Sequence, residues 1–229
     1  MEIKDCLLLP EEYYNEVFEK DTVYLHHTAG SHRADWTIAS WEHDKTKSGL
    51  PLKVATAYVI GGLSTRDFRE TSWDGVILRA FNDTYWAHHL GTKETNNSIL
   101  NKKSVAIEIC NYGGLVLGND GNYYNYVKGI VPKEQVVKLG KPFRGYTYYH
   151  AYTDKQIASL KELLLDIVSR HPKINLKKGL QELLSEDNFL EINQAALKGL
   201  PGLWSHTNVR KDKSDIYPHP KLLELIKSF

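Results

Sequence analysis

Apolar residues along the chain fall into runs with two different spacings. Compact runs rich in β-branched and aromatic residues predict four buried strands, at 22–27, 54–60, 76–81 and 104–110. Helical spacing predicts four helices, at 35–46, 153–170, 178–190 and 221–229. Strands that alternate with helices predict an α/β fold, a single domain with a central mixed β-sheet flanked by helices.

Residues 113–145 differ from these elements because they are rich in Gly, Asn, Tyr and Lys and show little periodicity. The pattern predicts a long surface loop, and loops of this length tend to carry function. No linker, internal repeat or low-complexity tract divides the chain. We therefore expect one domain that covers residues 1–229.

Composition narrows the classes of function. Of 229 residues, 41% are hydrophobic and 25% are charged, as in globular proteins with a sizeable core. Lys and Arg number 29 against 28 Asp and Glu, so no overall field favours nucleic acid as a partner. The apolar run at 6–9 is too short for a signal-peptide core or a membrane span, which predicts synthesis in the cytoplasm without a Sec-type signal. Cys6 and Cys110 indicate no disulfide framework, although a single bridge between them stays open.

Histidines stand at the ends of predicted strands and in loops. The chain has ten, among them the pairs His26-His27 and His88-His89 and the single His206. A catalytic zinc site needs three protein ligands and an open fourth position, and such ligands commonly come from distant parts of a chain. The distribution allows a zinc site, although a histidine at a strand end more often serves packing or hydrogen bonding.

Two further features could carry chemistry. Glu108 interrupts an apolar strand, where a carboxylate is costly to bury unless it is paired, bound to metal or protonated. It could be a general base, or it could point to water from an edge strand. The segment 205–215 (SHTNVRKDKSD) has an imidazole followed by a cation two residues before a carboxylate, which could supply a ligand pair and a Lys that stabilises an oxyanion. A solvated charged loop is the alternative.

Taken together, VYLHHTAG, VATAYVIGG, DGVILRAF, WAHHLG, SVAIEIC and the final loop resemble the zinc-dependent N-acetylmuramoyl-L-alanine amidases. This family includes the T7-lysozyme type, the anhydro-muropeptide amidases and the peptidoglycan recognition proteins. The resemblance covers a core of about 22–220, with variable insertions at about 113–149 and 175–203. It implies hydrolysis of the amide between N-acetylmuramic acid and L-alanine in peptidoglycan.

The resemblance also implies a zinc site. Its ligands would be His26, His206 and Asp215, and Asp212 and His219 are rivals for the third position because Ser205 and Ile216 depart from the family pattern. No Cys occurs in this loop, so the variant of the family with a Cys ligand does not apply.

The remaining site residues follow from the same resemblance. Glu108 would take a proton from water, and Lys213, with Tyr58, would stabilise the oxyanion of the transition state. Residues expected to contact substrate are His89, His27 and Trp86.

Other functions remain open from the sequence. A peptidoglycan-binding module of the same fold would keep the groove without the reaction, and a recycling amidase would act on muropeptides in the cytoplasm. A zinc peptidase or deacetylase is disfavoured because no HExxH motif occurs. We expect a monomer that lyses cell wall, in the manner of a phage endolysin, and that reaches the wall through a pore or a dedicated export route.

Overall fold

A computed structural model gives the structure of residues 1–67 and 69–229. Its strands are, in chain order, β1 (Ile3–Asp5), β2 (Thr22–His27), β3 (Tyr58–Ile60), β4 (Ile77–Arg79), β5 (Ser104–Ile109), β6 (Gly114–Leu117), β7 (Tyr123–Tyr124), β8 (Ile130–Val131), β9 (Val136–Phe143), β10 (Tyr146–His150) and β11 (Gly202–Ser205). Its α-helices are α1 (Ala34–His43), α2 (Asn97–Lys103), α3 (Asp154–Arg170), α4 (Leu180–Leu183), α5 (Gln194–Leu197) and α6 (Pro220–Lys227). Short 3-10 helices occupy Pro10–Glu12, Lys133–Gln135 and His206–Asn208.

The central sheet has six strands in the order β1-β4-β3-β5-β2-β11. Only the β3–β4 pair in it is antiparallel, and the other neighbours run parallel. The prediction of a mixed central sheet with flanking helices is confirmed. Because β5, β2 and β11 are parallel, their carboxyl ends meet at one edge of the sheet, where α/β folds place their sites.

Side-chain alternation divides the central strands into two faces. In β2 and β5, Leu25 pairs with Ile107, and both belong to the main hydrophobic core that also contains the apolar stripe of α3. The next pair in register is His26 with Glu108, which must project from the opposite face because side chains alternate along a strand. The same alternation that buries one face therefore brings an imidazole and a carboxylate together on the other.

The capping box that starts α3 has the predicted form. Thr153 accepts from the backbone N–H of Gln156, and the Gln156 side chain accepts from the N–H of Thr153. Gln156 also donates to the carbonyl of Cys110 at 2.8 Å, which ties the start of the helix to the end of β5. The capping box thus both starts α3 and fixes its first turn against the sheet.

The predicted surface loop at 113–145 is wrong. Strands β6 to β10 form an antiparallel sheet in the order β8-β7-β6-β10-β9. Several of these strands have only two to five residues, too few to show a period of two in the sequence. Tyr149 of β10 is fully buried and stacks on Tyr217 at 4.2 Å between ring centroids, which fixes this sheet to the core.

Two smaller expectations have clear outcomes. The helix predicted at 178–190 is reduced to the four residues of α4, and Cys6 and Cys110 are both free thiols. Throughout residues 1–67 and 69–229, no helix is long and apolar enough to cross a membrane.

Candidate metal and catalytic site

A cavity of about 360 Å³ opens where the carboxyl ends of β2 and β5 meet the loop that follows β11. Polar groups dominate its inner part, with His26 from β2, Glu108 from β5 and Asp215 from the loop. Its lining consists of His26, His27, Thr28, Ala29, Trp41, Val54, Ala55, Thr56, His88, His89, Glu108, His206, Asp212, Lys213, Ser214 and Asp215.

Three of the lining residues converge on one point. His26 Nδ1 lies 3.0 Å from His206 Nδ1 and 3.2 Å from Asp215 Oδ2, and His206 Nδ1 lies 2.9 Å from the same oxygen. All three residues are buried. A tetrahedral zinc ion with bonds of about 2.0–2.1 Å would hold its donor atoms about 3.3 Å apart. The observed separations of 2.9–3.2 Å are close to this spacing, so the three residues could hold a metal ion.

Local capping holds His206 in place. His206 is the first residue of the 3-10 helix His206–Asn208. The Asn208 side chain accepts a hydrogen bond from the backbone N–H of Ser205 at 3.0 Å. Asn208 also donates to the carbonyls of Phe189 and Glu191, both at 2.9 Å. The turn is thereby fixed from both sides, and its imidazole is directed toward β2.

Proton positions around His206 favour a cation at the convergence point. Its Nε2 lies 2.9 Å from the carbonyl oxygen of Leu90, which can only accept, so Nε2 carries the proton. In the neutral ring, Nδ1 then presents a lone pair to the carboxylate of Asp215. Two acceptors 2.9 Å apart repel unless a proton or a metal ion lies between them.

The charge states of the cluster also suit a metal. Burial, together with the neighbouring imidazole of His206, lowers the pKa of His26 to about 4. Burial alone would raise the pKa of Asp215, but its close contacts with the imidazoles of His206 and His26 hold that pKa below its ordinary value. At neutral pH this gives a neutral imidazole and an ionised carboxylate, the forms that bind zinc.

Glu108 lies beside this cluster as the sheet partner of His26. Its Oε2 is buried and has no hydrogen-bond partner among residues 1–67 and 69–229. Burial, with the nearby charge of Asp215, raises the pKa of Glu108 well above its ordinary value, while the ammonium of Lys213 opposes the rise. A buried carboxyl with a raised pKa next to a candidate metal is suited to take up and release a proton.

The structure does not bring Tyr58 to the cavity, which corrects its predicted role as an oxyanion donor. Tyr58 pairs with Ile107, whereas Glu108 pairs with Val59, so Tyr58 and Glu108 project from opposite faces of the sheet. The Tyr58 hydroxyl donates to Asp83 Oδ2 at 3.0 Å and accepts from Arg170 at 3.1 Å. It belongs to a polar cluster on the α3 side of the sheet.

The three residues predicted to contact substrate have other partners. Trp86 lies outside the cavity lining, where it stacks on Tyr14 and donates to Glu16 at 3.1 Å. His27 is 5% exposed, and its Nδ1 lies 3.1 Å from the Tyr152 hydroxyl. His89 uses both ring nitrogens within the protein, as described below. The prediction that Trp86 contacts substrate is therefore wrong, whereas His27 and His89 both line the cavity.

The rival ligands lie away from the convergence point. Asp212 forms a bidentate ion pair with Arg210, at 2.7 and 2.6 Å, and is exposed. His219 is buried against the rings of Tyr152 and Tyr217. The geometry thus favours Asp215 over both as the third member of the set.

Sequence reasoning missed several residues that line the cavity, among them Trp41 of α1, Thr56 and His88. The Thr56 hydroxyl donates to the carbonyl of Tyr58 at 3.0 Å and lies on the cavity side of the chain just before β3. Nothing local in the sequence separates His88 from His89. Only the fold shows that both histidines line the cavity.

Comparison with known proteins agrees with this geometry. Residues 17–219 match the family model described as N-acetylmuramoyl-L-alanine amidase. No curated protein matches the sequence. A mutant of PlyL has a similar fold, with 11% identity, a TM-score of 0.52 and all of both chains covered.

Two other solved structures are similar to the chain at a lower score. N-acetylmuramoyl-L-alanine amidase LysC from Clostridium intestinale has 12% identity and a TM-score of 0.48, and covers 100% of this chain and 96% of its own. Drosophila PGRP-LB has 14% identity and a TM-score of 0.49, with 100% and 94% covered.

Proposed function

The chain belongs to the N-acetylmuramoyl-L-alanine amidase family, and from this premise we propose that it hydrolyses peptidoglycan with a zinc ion held by His26, His206 and Asp215. The resemblance stated from the sequence motifs is confirmed, and the enzyme class is that of the N-acetylmuramoyl-L-alanine amidases. The observation that carries the zinc proposal is the convergence of two imidazole nitrogens and one carboxylate oxygen within 3.2 Å beside the half-buried Glu108.

Each member of the proposed ligand set is a donor that zinc accepts in catalytic sites, and three protein ligands leave a fourth position for water or substrate. Zinc bound there would lower the pKa of a water molecule and polarise the scissile carbonyl. The remaining steps belong to side chains of the chain itself.

Glu108 is the proposed proton carrier. It accepts a proton from the attacking water as the water oxygen bonds to the lactyl carbonyl carbon of N-acetylmuramic acid. When the carbon–nitrogen bond breaks, Glu108 returns that proton to the amine of L-alanine, and the products are a carboxylic acid and a free amino terminus. A raised pKa supports this role because the carboxyl must both gain and lose a proton near neutral pH.

Lys213 is the proposed oxyanion donor. It lines the same cavity as His26 and Glu108, and its charge lowers the pKa of both groups, which supports this role. Removal of one such donor typically costs about 3 kcal/mol of transition-state stabilisation. Because Tyr58 lies on the other face of the sheet, Lys213 would act without it.

Cell-wall polymer is the substrate that we propose, in the setting of a lytic enzyme. The insertion at 113–149 contributes no residue to the cavity lining given above. A catalytic role is preferred over a binding module because a binding module has no use for a glutamate beside the ligand set whose Oε2 is buried without a hydrogen-bond partner in the described part of the chain.

The test is the appearance of alanine amino termini during incubation with purified peptidoglycan. Chelator-treated protein should release none, and added zinc should restore release without new reducing sugar ends. New reducing sugar ends, or alanine release that the chelator does not inhibit, would contradict the proposal. Parallel reactions on an anhydro-muropeptide would separate a lytic enzyme from a recycling one, since the recycling enzyme should prefer the small substrate.

A further inference from the structure

A chain of hydrogen bonds runs behind His26, away from the cavity. His26 Nε2 lies 3.1 Å from His89 Nδ1, and His89 Nε2 lies 2.8 Å from Ser104 Oγ. Ser104 Oγ in turn lies 2.8 Å from the carbonyl oxygen of Leu100. Both ring nitrogens of His89 are therefore engaged within the protein, which leaves none for substrate.

The direction of every hydrogen bond in this chain follows from its last member. A carbonyl oxygen can only accept, so the single hydroxyl hydrogen of Ser104 points to Leu100. Ser104 Oγ then accepts from His89 Nε2–H. His89, as a neutral ring, presents its Nδ1 lone pair to His26, so His26 Nε2 must donate. The Nδ1 of His26 is left without a proton and faces His206 and Asp215.

The same segment of chain holds the second candidate ligand. The Leu90 carbonyl accepts from His206 Nε2 at 2.9 Å. Asn101 of α2 fixes this segment, because its Oδ1 accepts from the backbone N–H of His89 at 2.8 Å and of Leu90 at 3.1 Å. One two-residue segment thus sets the ring orientation of both imidazoles, by a side chain for His26 and by a carbonyl for His206.

We propose that His89 is a positioning residue that, with Ser104 behind it, holds His26 as the tautomer whose Nδ1 binds zinc. The inference rests on the proposed zinc site and adds to it the residue that sets the tautomer of one ligand, His26. Metal-bound histidines usually donate their second nitrogen to a carboxylate, carbonyl or water. Here a neutral histidine takes that place, and its own tautomer is set by a serine.

The experiment measures zinc affinity by competition with a chromogenic chelator. His89→Ala removes the acceptor and should weaken zinc binding by about 10- to 100-fold, the range typical for such outer partners. His89→Asn places an amide oxygen near the position of Nδ1 and should recover most of the affinity. His43→Ala, which removes an exposed imidazole at the end of α1, should leave the affinity unchanged.

A spectroscopic measurement separates positioning from packing. In zinc-loaded wild-type protein, the ring N–H of His26 should give a slowly exchanging proton signal on Nε2 that correlates with its ring nitrogens. The signal should persist in His89→Asn, exchange faster in Ser104→Ala and vanish in His89→Ala. If His89→Ala does not fold, His89→Asn and Ser104→Ala carry the test.

The outcomes also separate this inference from the proposed function. Wild-type protein without zinc affinity would refute the metal site itself. Tight zinc binding that His89→Ala and Ser104→Ala leave unchanged, with the Nε2–H signal intact, would overturn the positioning role and keep the metal site. Loss of affinity in His89→Ala without any recovery in His89→Asn would also overturn it, because the acceptor would then not be what matters.

Discussion

Replacing Glu108 by Gln should make the protein more stable and far less active. Gln keeps the shape of the protonated acid but cannot ionise. Burial raises the pKa of the Glu108 carboxyl, so the folded protein must either hold a proton that the unfolded chain releases or bury a charge. The variant avoids both costs.

The size of the gain is bounded by linkage. A group whose pKa is raised on folding makes its full contribution to stability at pH values below its unfolded pKa, and this contribution falls as pH rises. The ordinary pKa of this carboxyl is 4.5. Keeping it protonated in the folded protein at pH 7 costs at most the free energy that corresponds to the interval from pH 4.5 to pH 7, or about 3 kcal/mol. For a chain of this length, 1 kcal/mol shifts Tm by about 2–4 °C. We therefore expect Tm to rise by up to about 12 °C at pH 7 and by almost nothing near pH 4.

Thermal unfolding of metal-free protein across this pH range measures the effect, since zinc would otherwise alter the charge near Glu108. Glu186→Gln, a change at an exposed carboxylate, is the matched control and should follow the wild type. In zinc-loaded protein, Glu108→Gln should lower kcat by about 10²–10⁴ and keep the metal. A variant that is no more stable than wild type at pH 7, or one that retains full activity, would refute the reasoning.

Three further predictions follow from the placement of single side chains. Lys213→Met should lower kcat by about 10²–10³ with zinc content unchanged, and steady-state kinetics with metal analysis would show it. Tyr58→Phe should leave kcat within about twofold and cost about 1 kcal/mol of unfolding free energy, because the hydroxyl bonds Asp83 and not the cavity; a large loss of kcat would contradict that placement. Burial would raise the pKa of Asp83, but the His171 imidazole 3.2 Å away and a hydrogen bond from Arg170 lower that pKa from 3.8 to about 2, so Asp83→Asn should cost about 2 kcal/mol at neutral pH. A carboxyl whose pKa is lowered on folding stabilises the protein at pH values above its unfolded pKa. In acid unfolding, the stability difference between Asp83→Asn and wild type should therefore shrink as pH falls from 4 to 2.

The sequence was informative where a local pattern decides the structure. The apolar runs around His26 and Glu108 are strands of six residues each, long enough to be recognised, and they pair in register. The capping box of α3 is equally local, with both of its hydrogen bonds set within four residues. Such features depend on neighbours in the chain, which a sequence shows directly.

Tyr58 shows where this approach ends. Tyr58 lies one residue before Val59, the register partner of Glu108. Because side chains alternate along a strand, this shift of one residue points the Tyr58 side chain to the opposite face of the sheet. Register across β3 and β5 depends on how two distant segments pair. The sequence alone gives the order of residues along each strand but not this alignment.

The hydrogen-bond partners of the His89 and His206 imidazoles could not be predicted from the sequence for a different reason. Ser104 is fifteen residues from His89, and the Leu90 carbonyl belongs to the backbone, which carries no residue identity. Neither forms a recognisable spacing. Short strands made the sheet at 113–149 equally hard to predict, since a two-residue strand such as β7 has no period.

Zinc content measured together with alanine release tests the central claim most directly. Wild-type protein should carry about one zinc ion per chain and release amino-terminal alanine from peptidoglycan, and His206→Ala should lose both. Asp212→Asn should keep its zinc, because the Asp212 carboxylate pairs with Arg210 outside the ligand set. Zinc retained in His206→Ala, or alanine release by a protein without metal, would contradict the account.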